Sequence, residues 1–347
     1  MKAREGKTSL KYVKDFEENL DKNLMRLEAE LRKMKYVPEP LETFVIRDPK
    51  TRVIRSPAFR DRIVHHALFN IIGPVFEKIF IYDSYAGRKA KGAHAAVKRF
   101  ENFMRLASCN GRSVKCAKNN NDVTGYVLKA DIRHYFDTID LKILLSIMEK
   151  KIKDERTLRL IRRIIENHAI ESKKGMPIGS LVSQMCGNIY LNELDYFIKH
   201  KLRAKFYIRY MDDFVILHGN KQTLEKWKSE IGAFLLTKLK LELHPDKCKI
   251  YPLRKGAKFL GFRIFYKYKL LKKSNIKRIE HRADDFVELY KNQAITKISI
   301  YASLEGWENS YAMYANTYIF RMLLMKKMRK SLKKIDSDQN KPKIFIK

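Results

Sequence analysis

Cysteine is scarce in this chain: 347 residues carry four, Cys109, Cys116, Cys186 and Cys248. No C-x-x-C pair and no Cys/His cluster with zinc spacing occurs, which excludes the common zinc modules and a disulfide framework. The thiols read as reduced and intracellular. Acidic residues are also in short supply, with 39 Asp plus Glu against 73 Lys plus Arg, a formal net charge of +34. No uninterrupted apolar run is long enough to span a bilayer, and Met1-Lys-Ala-Arg-Glu5 does not open like a signal peptide. The expectation is a cytoplasmic protein with no membrane partner. No internal repeat is visible.

What remains is a folded, basic chain. Hydrophobic residues make up 45%, and the length suits more than one domain or subdomain. An excess of positive charge this large opposes compaction by self-repulsion unless a polyanion is near. Nucleic acid, held through its phosphates, is the natural partner.

Along the chain, residues 9–35 read as helix, with Leu20, Leu24, Leu27 and Leu31 at helical spacing. Residues 43–55 read as two strands around Asp48-Pro49-Lys50. Helices are expected over 61–80 and 94–106, and a polar insertion over 108–124. Gly125 to Ile132 reads as a strand, then helices at about 140–150 and 155–167. A breaker-rich loop, Gly175 to Ser180, opens a helix running to about Arg203. Further on come a helix at 222–238, short strands at 240–244 and 259–265, and helix from 272 to about 334. Trp307, Tyr311, Tyr314 and Tyr318 fall at helical spacing, which predicts a core-facing stripe.

The chemistry gathers in Phe206-Tyr-Ile-Arg-Tyr-Met-Asp-Asp-Phe-Val-Ile-Leu217, where two short β-prone runs meet at Asp212 and Asp213. Adjacent carboxylates at a hairpin tip repel unless something neutralises them, and a divalent metal does so. The bland alternative is a surface turn. Leu128-Lys-Ala-Asp131 supplies a partner, a third acid at a strand end. Two-metal phosphoryl transfer needs carboxylates from more than one strand around ions ~4 Å apart.

These motifs resemble the reverse transcriptases, over about residues 43–330. Tyr210-Met211-Asp212-Asp213 resembles the catalytic box and Asp131 the other essential acid, with Ile132 beside it at the metal position. The resemblance implies an α+β right-hand polymerase fold with fingers, a ferredoxin-like palm and a helical thumb. It divides the chain into an N-terminal helical extension (1–42), fingers (43–124), a palm (125–265, with a fingers insertion at about 140–180), a thumb (266–334) and a polar tail (335–347). It also implies two Mg2+ ions, with Mn2+ as a substitute. Phe136 matches the gate against a ribose 2′-hydroxyl, and Arg52, assisted by Lys50, the clamp on the incoming triphosphate. Ile178, Gly179 and Gln184 fall on the nucleotide side, and Phe259-Leu260-Gly261 resembles the primer grip. Lys247 matches the general acid for pyrophosphate, with an ordinary surface lysine as the equal alternative.

Within the family the chain is similar to the enzymes of diversity-generating retroelements. The stretches that carry this are Phe59 to Leu68, Asp83-Ser-Tyr-Ala-Gly-Arg88 with Lys91 to His94, Pro177-Ile-Gly-Ser-Leu-Val-Ser-Gln184, and Leu270 to Arg278. Gly87 and Val182 depart from that group, which often has Cys and Thr there. Most reverse transcriptases carry Gln where Ile178 stands. Isoleucine cannot hydrogen-bond, so a polar check on the nucleotide is lost. The resemblance implies error-prone cDNA copied from a retroelement template RNA, chiefly mutated at adenines. Its partners would be template RNA, primer, cDNA, deoxynucleotides and a small, basic, helical, oligomeric accessory variability protein. The gene would be prokaryotic or phage-borne. Rival readings are a reverse transcriptase of a phage-defence, retron or group II intron system, and a non-catalytic RNA-binding scaffold. The basic helix from Arg321 to Lys334 suits either a duplex backbone or an accessory subunit.

Overall fold

A computed structural model of the chain describes residues 2–47, 51–108, 123–168 and 174–339. The chain forms two compact units. The first comprises Met1–Gly92, Leu128–Leu217 and Lys221–Ile250; the second comprises Ala93–Val127, His218–Asn220 and Tyr251–Lys347. These units follow packing rather than sequence order, so each collects distant segments.

The first unit opens with helices α1 (Lys11–Glu17) and α2 (Leu20–Arg32). The single helix expected over 9–35 is broken at Asn19, whose φ of −125° and ψ of 45° are not helical. An exposed antiparallel pair follows, β1 (Glu42–Ile46) and β2 (Arg52–Ser56), in register from Glu42↔Ser56 to Ile46↔Arg52. Helix α3 (Phe59–Glu77) buries Val64, Leu68, Ile72 and Phe76, spaced four apart along one face.

The site rests on a four-stranded sheet with order β4-β5-β3-β6. Its strands are β3 (Tyr126–Asp131), β4 (Phe206–Tyr210), β5 (Asp213–His218) and β6 (Lys249–Pro252). Short α5 (Tyr135–Thr138), α6 (Leu141–Glu149) and α7 (Glu155–His168) follow β3. Helix α8 (Leu181–Tyr196) begins at Ser180, whose hydroxyl accepts from the Val182 amide at 3.2 Å. It packs against α3 and α6 and is buried nearly all round, several of its polar side chains included. Helix α9 (Lys221–Phe234) ends in a π-helical turn, Leu235–Leu239.

The strand expected at 240–244 is not formed. Lys240 takes a left-handed conformation (φ 53°) as it leaves α9, and only Leu243 bridges, to Ile132. The regular strand is β6, which begins five residues after His244. The strand expected at 259–265 is instead a hairpin.

The second unit holds α4 (Ala93–Ser108) and a three-stranded antiparallel sheet, β7 (Ala257–Phe259), β8 (Phe262–Ile264) and β9 (Lys269–Leu271). Helices α10 (Lys273–Lys291), α11 (Lys297–Ser310) and α12 (Tyr318–Gln339) complete it. Ile279, Ala283, Ile300, Leu304, Leu324, Met328 and Leu332 form the core of this bundle. Phe100 of α4 packs on Phe259 of β7, ring centroids 5.8 Å apart.

Of the predicted stripe, Trp307 packs against this core, whereas the three tyrosines do not. Tyr311, Tyr314 and Tyr318 are 42%, 43% and 67% exposed. Tyr311 has φ −138° and ψ −49°, so α11 stops at Ser310 and the helical spacing no longer lies on one face. Tyr314 stacks on His94 at 3.6 Å instead. No helix among the described residues is long and apolar enough to cross a membrane.

Candidate active site

The acidic hairpin forms as its sequence predicts. Strands β4 and β5 pair from Phe206↔Leu217 to Tyr210↔Asp213, leaving Met211 and Asp212 as the two-residue connection. Met211 occupies the left-handed region (φ 56°), unusual for a side chain with a Cβ and typical of functional turns. Asp131 ends β3, next to β5 in the sheet.

The three carboxylates are placed within electrostatic reach of one another. Burial pushes the Asp212 carboxyl up to about 6, and the charges of Asp131 and Asp213 add to the shift. The other two acids are held by ammonium groups. Lys247 Nζ lies 3.1 Å from Asp131 Oδ1, and Lys129 Nζ lies 3.1 Å from Asp213 Oδ2. Among the described residues no cluster of three acidic, histidine or cysteine side chains forms a ready metal cage. The donor set nevertheless suits a hard divalent cation, since it offers carboxylate oxygens whose mutual repulsion an ion would relieve.

Backbone pairing explains why Lys247 reaches Asp131. Arg133 N donates to Glu242 O at 2.9 Å and His244 N donates to Asp131 O at 2.8 Å, so residues 242–244 run along the end of β3. The turn that follows folds Lys247 back over the acid. Lys129 was missed in the sequence, although period-2 alternation places it on the face of Asp131.

Phe136 lies on α5, partly buried. Its carbonyl accepts from Met176 N at 2.7 Å. Its ring meets α8 at Gly187, where an added Cβ would stand 3.4 Å from Phe136 Cε1, 3.4 Å from Tyr135 Cε1 and 3.2 Å from Met211 Sδ. Gly187 is thus the point where α5 and the acidic hairpin approach α8 together.

The Ile178-Gly179 loop is tied to β2. Arg55 N donates to Ile178 O at 3.1 Å, and Gly179 has φ +122°. A Cβ at Gly179 would stand 2.7 Å from Ile54 Cγ2, so only glycine fits. Gly179→Ala is expected to cost about 1–3 kcal/mol of stability through clash and strain. The loop must then lift from β2, which breaks the Arg55 N to Ile178 O bond. Thermal melts of the variant beside wild type check it. Gln184 is exposed on the first turn of α8 beside Gly87. Arg52 is exposed at the start of β2, and Lys50 lies outside the described residues.

In the second unit, Phe259 is buried, and Leu260 (φ 44°) and Gly261 (φ 90°) form the two-residue turn between β7 and β8. Gly261 O accepts from Lys272 N at 3.0 Å and from Asn275 Nδ2 at 3.3 Å, which ties the turn to the start of α10.

The model of the reverse transcriptase (RNA-dependent DNA polymerase) family matches residues 46–264, which takes in the sheet, the hairpin and Asp131. The chain belongs to that family. It is 28% identical over 284 residues to protein YkfC of Escherichia coli K12, covering 70% of this chain and 71% of YkfC. It is 24% identical over 315 residues to the group II intron-encoded protein LtrA of Lactococcus lactis subsp. cremoris. That match covers 70% of this chain but only 50% of LtrA. A solved telomerase from Candida albicans, bound to a fragment of telomeric RNA, shares the fold with a TM-score of 0.54 at 11% identity, covering 87% of this chain and 55% of the telomerase. The mixed helix-and-sheet architecture is therefore that of the reverse transcriptase and telomerase polymerases.

Proposed function

We propose that the protein copies a retroelement template RNA into error-prone cDNA. The observation that carries the polymerase reading is the convergence of Asp131 at the end of β3 with Asp212 and Asp213 on the β4–β5 hairpin. Asp131, Asp212 and Asp213, with the backbone carbonyl of Ile132, would hold Mg2+, or Mn2+ in its place. When bound, the ions supply charge neutralisation at the attacking 3′-oxygen and the departing pyrophosphate.

The chain's own groups do the rest. Arg52 and Lys50 grip the triphosphate, Gln184 and the Ile178-Gly179 loop bound the nucleotide, and Phe136 excludes a 2′-hydroxyl. The turn of Phe259-Leu260-Gly261 presents backbone to the primer end. Lys247 keeps a proton at Nζ beside Asp131 and passes it to pyrophosphate. Fingers, palm and thumb are the functional division that goes with these roles. Ile178 supports the error-prone reading because it offers no hydrogen bond to the nucleotide.

A second reading, a group II intron-type enzyme, is favoured by the likeness to LtrA. Both readings share the chemistry and differ in template and fidelity. The test is cDNA synthesis by the purified chain, with template RNA, primer, deoxynucleotides and Mg2+, followed by sequencing. Excess substitution at template adenines is the expected result. Uniformly accurate cDNA would leave the intron-type reading, and an absence of cDNA, with and without a basic helical partner, would end the polymerase reading.

A further inference from the structure

We propose that Arg209 is the positioning residue of the catalytic turn, joining the nucleotide side of the site to Asp212 through a buried polar network. This rests on the polymerase reading above. Arg209 sits mid-strand in β4, two residues before the turn, and is fully buried. Its Nε and Nη2 donate to the two oxygens of Asp195 on α8, at 2.7 and 2.6 Å. Tyr207 OH donates to the same carboxylate at 2.7 Å. That bidentate pair alone would be structural glue.

The third nitrogen does something else. Arg209 Nη1 donates to Asn188 Oδ1 at 3.0 Å and to the carbonyl oxygen of Met211 at 3.3 Å. The Met211 carbonyl belongs to the peptide that links Met211 to Asp212. Holding that oxygen sets the peptide plane, keeps Met211 left-handed and fixes the direction in which the Asp212 side chain leaves the turn. In the other direction, Asn188 Nδ2 donates to Ala86 O at 2.8 Å, next to Gly87 and one helical turn from Gln184. The Arg209 backbone is bonded to the same loop, through Arg209 N to Asp83 O and Tyr85 N to Arg209 O, both at 3.0 Å. One side chain therefore touches the metal-side turn and the partner of the nucleotide-side loop.

Guanidinium geometry explains why arginine stands here. Its donors point in several fixed directions at once, whereas a lysine ammonium is a single point on a flexible stem. Apolar residues of similar volume commonly replace a buried ion pair without loss of stability, yet they cannot donate to Met211 O. This separates a structural role from a positioning one.

Two variants test the proposal: Arg209→Lys, and the triple Arg209→Met/Asp195→Leu/Tyr207→Phe, which removes the charges and the hydroxyl together. In a folded variant, nucleotide KM and template–primer binding should stay within about threefold of wild type, since no binding group is lost. kcat should fall by about 100-fold, the size expected when a reacting group is displaced by ~1 Å. Amide hydrogens of residues 211–213 should exchange at least about tenfold faster, a local opening separate from global stability. A folded variant with wild-type kcat and unchanged exchange at the turn overturns the proposal. So does failure of both variants to fold, which would make Arg209 a folding residue. If the wild-type protein makes no cDNA, the polymerase reading falls, while the exchange comparison still decides whether Arg209 holds the turn.

Discussion

Asp212→Asn is expected to abolish RNA-templated synthesis and, in the same protein, to raise its melting temperature in metal-free buffer. The activity loss should be at least about 10³-fold, because a preorganised charge at the reacting centre is removed. The stability gain follows from the carboxyl's position. Burial, reinforced by Asp131 and Asp213, lifts it from the ordinary 3.8 to about 6. A carboxyl whose pKa rises on folding leaves the native state holding the proton longer than the unfolded chain. Native stability is therefore lost as pH rises from about 4 through 6, and above 6 the full cost is present. A shift of this size corresponds to up to about 3 kcal/mol. The asparagine variant escapes that cost, so its advantage should be largest above pH 7 and vanish below about pH 4. Paired melts in EDTA from pH 4 to 8 check it. A variant that melts at or below wild type at pH 7.5 would show that the hairpin does not store this repulsion.

Phe136→Ala is the second change with a large expected effect, on sugar selection rather than rate. The ring rests against Gly187, the backbone is bonded to Met176, and Tyr135 OH donates to Gly187 O at 2.5 Å. Helix α5 is thereby held to α8 at two adjacent residues, which supports the proposed role of the half-buried ring as a wall against a 2′-hydroxyl. A rigid wall discriminates by clash, so its removal should lower the preference for deoxynucleotides by about 100-fold. The measurement is the ratio of kcat/KM for a ribonucleotide and its deoxy counterpart. An unchanged ratio would move the gate to another residue.

Much of the site is legible in the sequence because its signals are local. Two β-prone runs around Asp212-Asp213 define a hairpin whatever surrounds them, and the register from Phe206↔Leu217 to Tyr210↔Asp213 follows. Asp131 is readable as a strand end. Phe136 is readable only through resemblance, since nothing in its own pattern separates a gate from a core aromatic. Patterns that depend on continuity were less secure. The aromatic spacing from Trp307 to Tyr318 assumed one helix; α11 stops at Ser310 and the irregular stretch from Tyr311 to Thr317 leaves Trp307 on the core and turns the three tyrosines outward. The run at 259–265 assumed one strand, where Leu260 and Gly261 reverse the chain. Arg209 carried a signal that was passed over: a charge in the middle of an apolar strand has to find a buried partner. Asn188 and Asp195 carried another, polar side chains two helical turns apart on a helix that is buried nearly all round.

By itself the sequence determined the basic character of the chain, the acidic hairpin, the strand-end acid and, by likeness, the polymerase family. Those depend on composition and on neighbours within a few residues. The tertiary structure decided what stands against each acid: Lys247 on Asp131 because residues 242–244 follow β3, and Lys129 on Asp213 because β3 lies beside β5. It also decided that Gly187 is the meeting point of Phe136 and Met211, and that Arg209 reaches the Met211 carbonyl. These contacts join residues tens of positions apart, and packing distances of a few ångströms between such segments leave no periodic trace in either one.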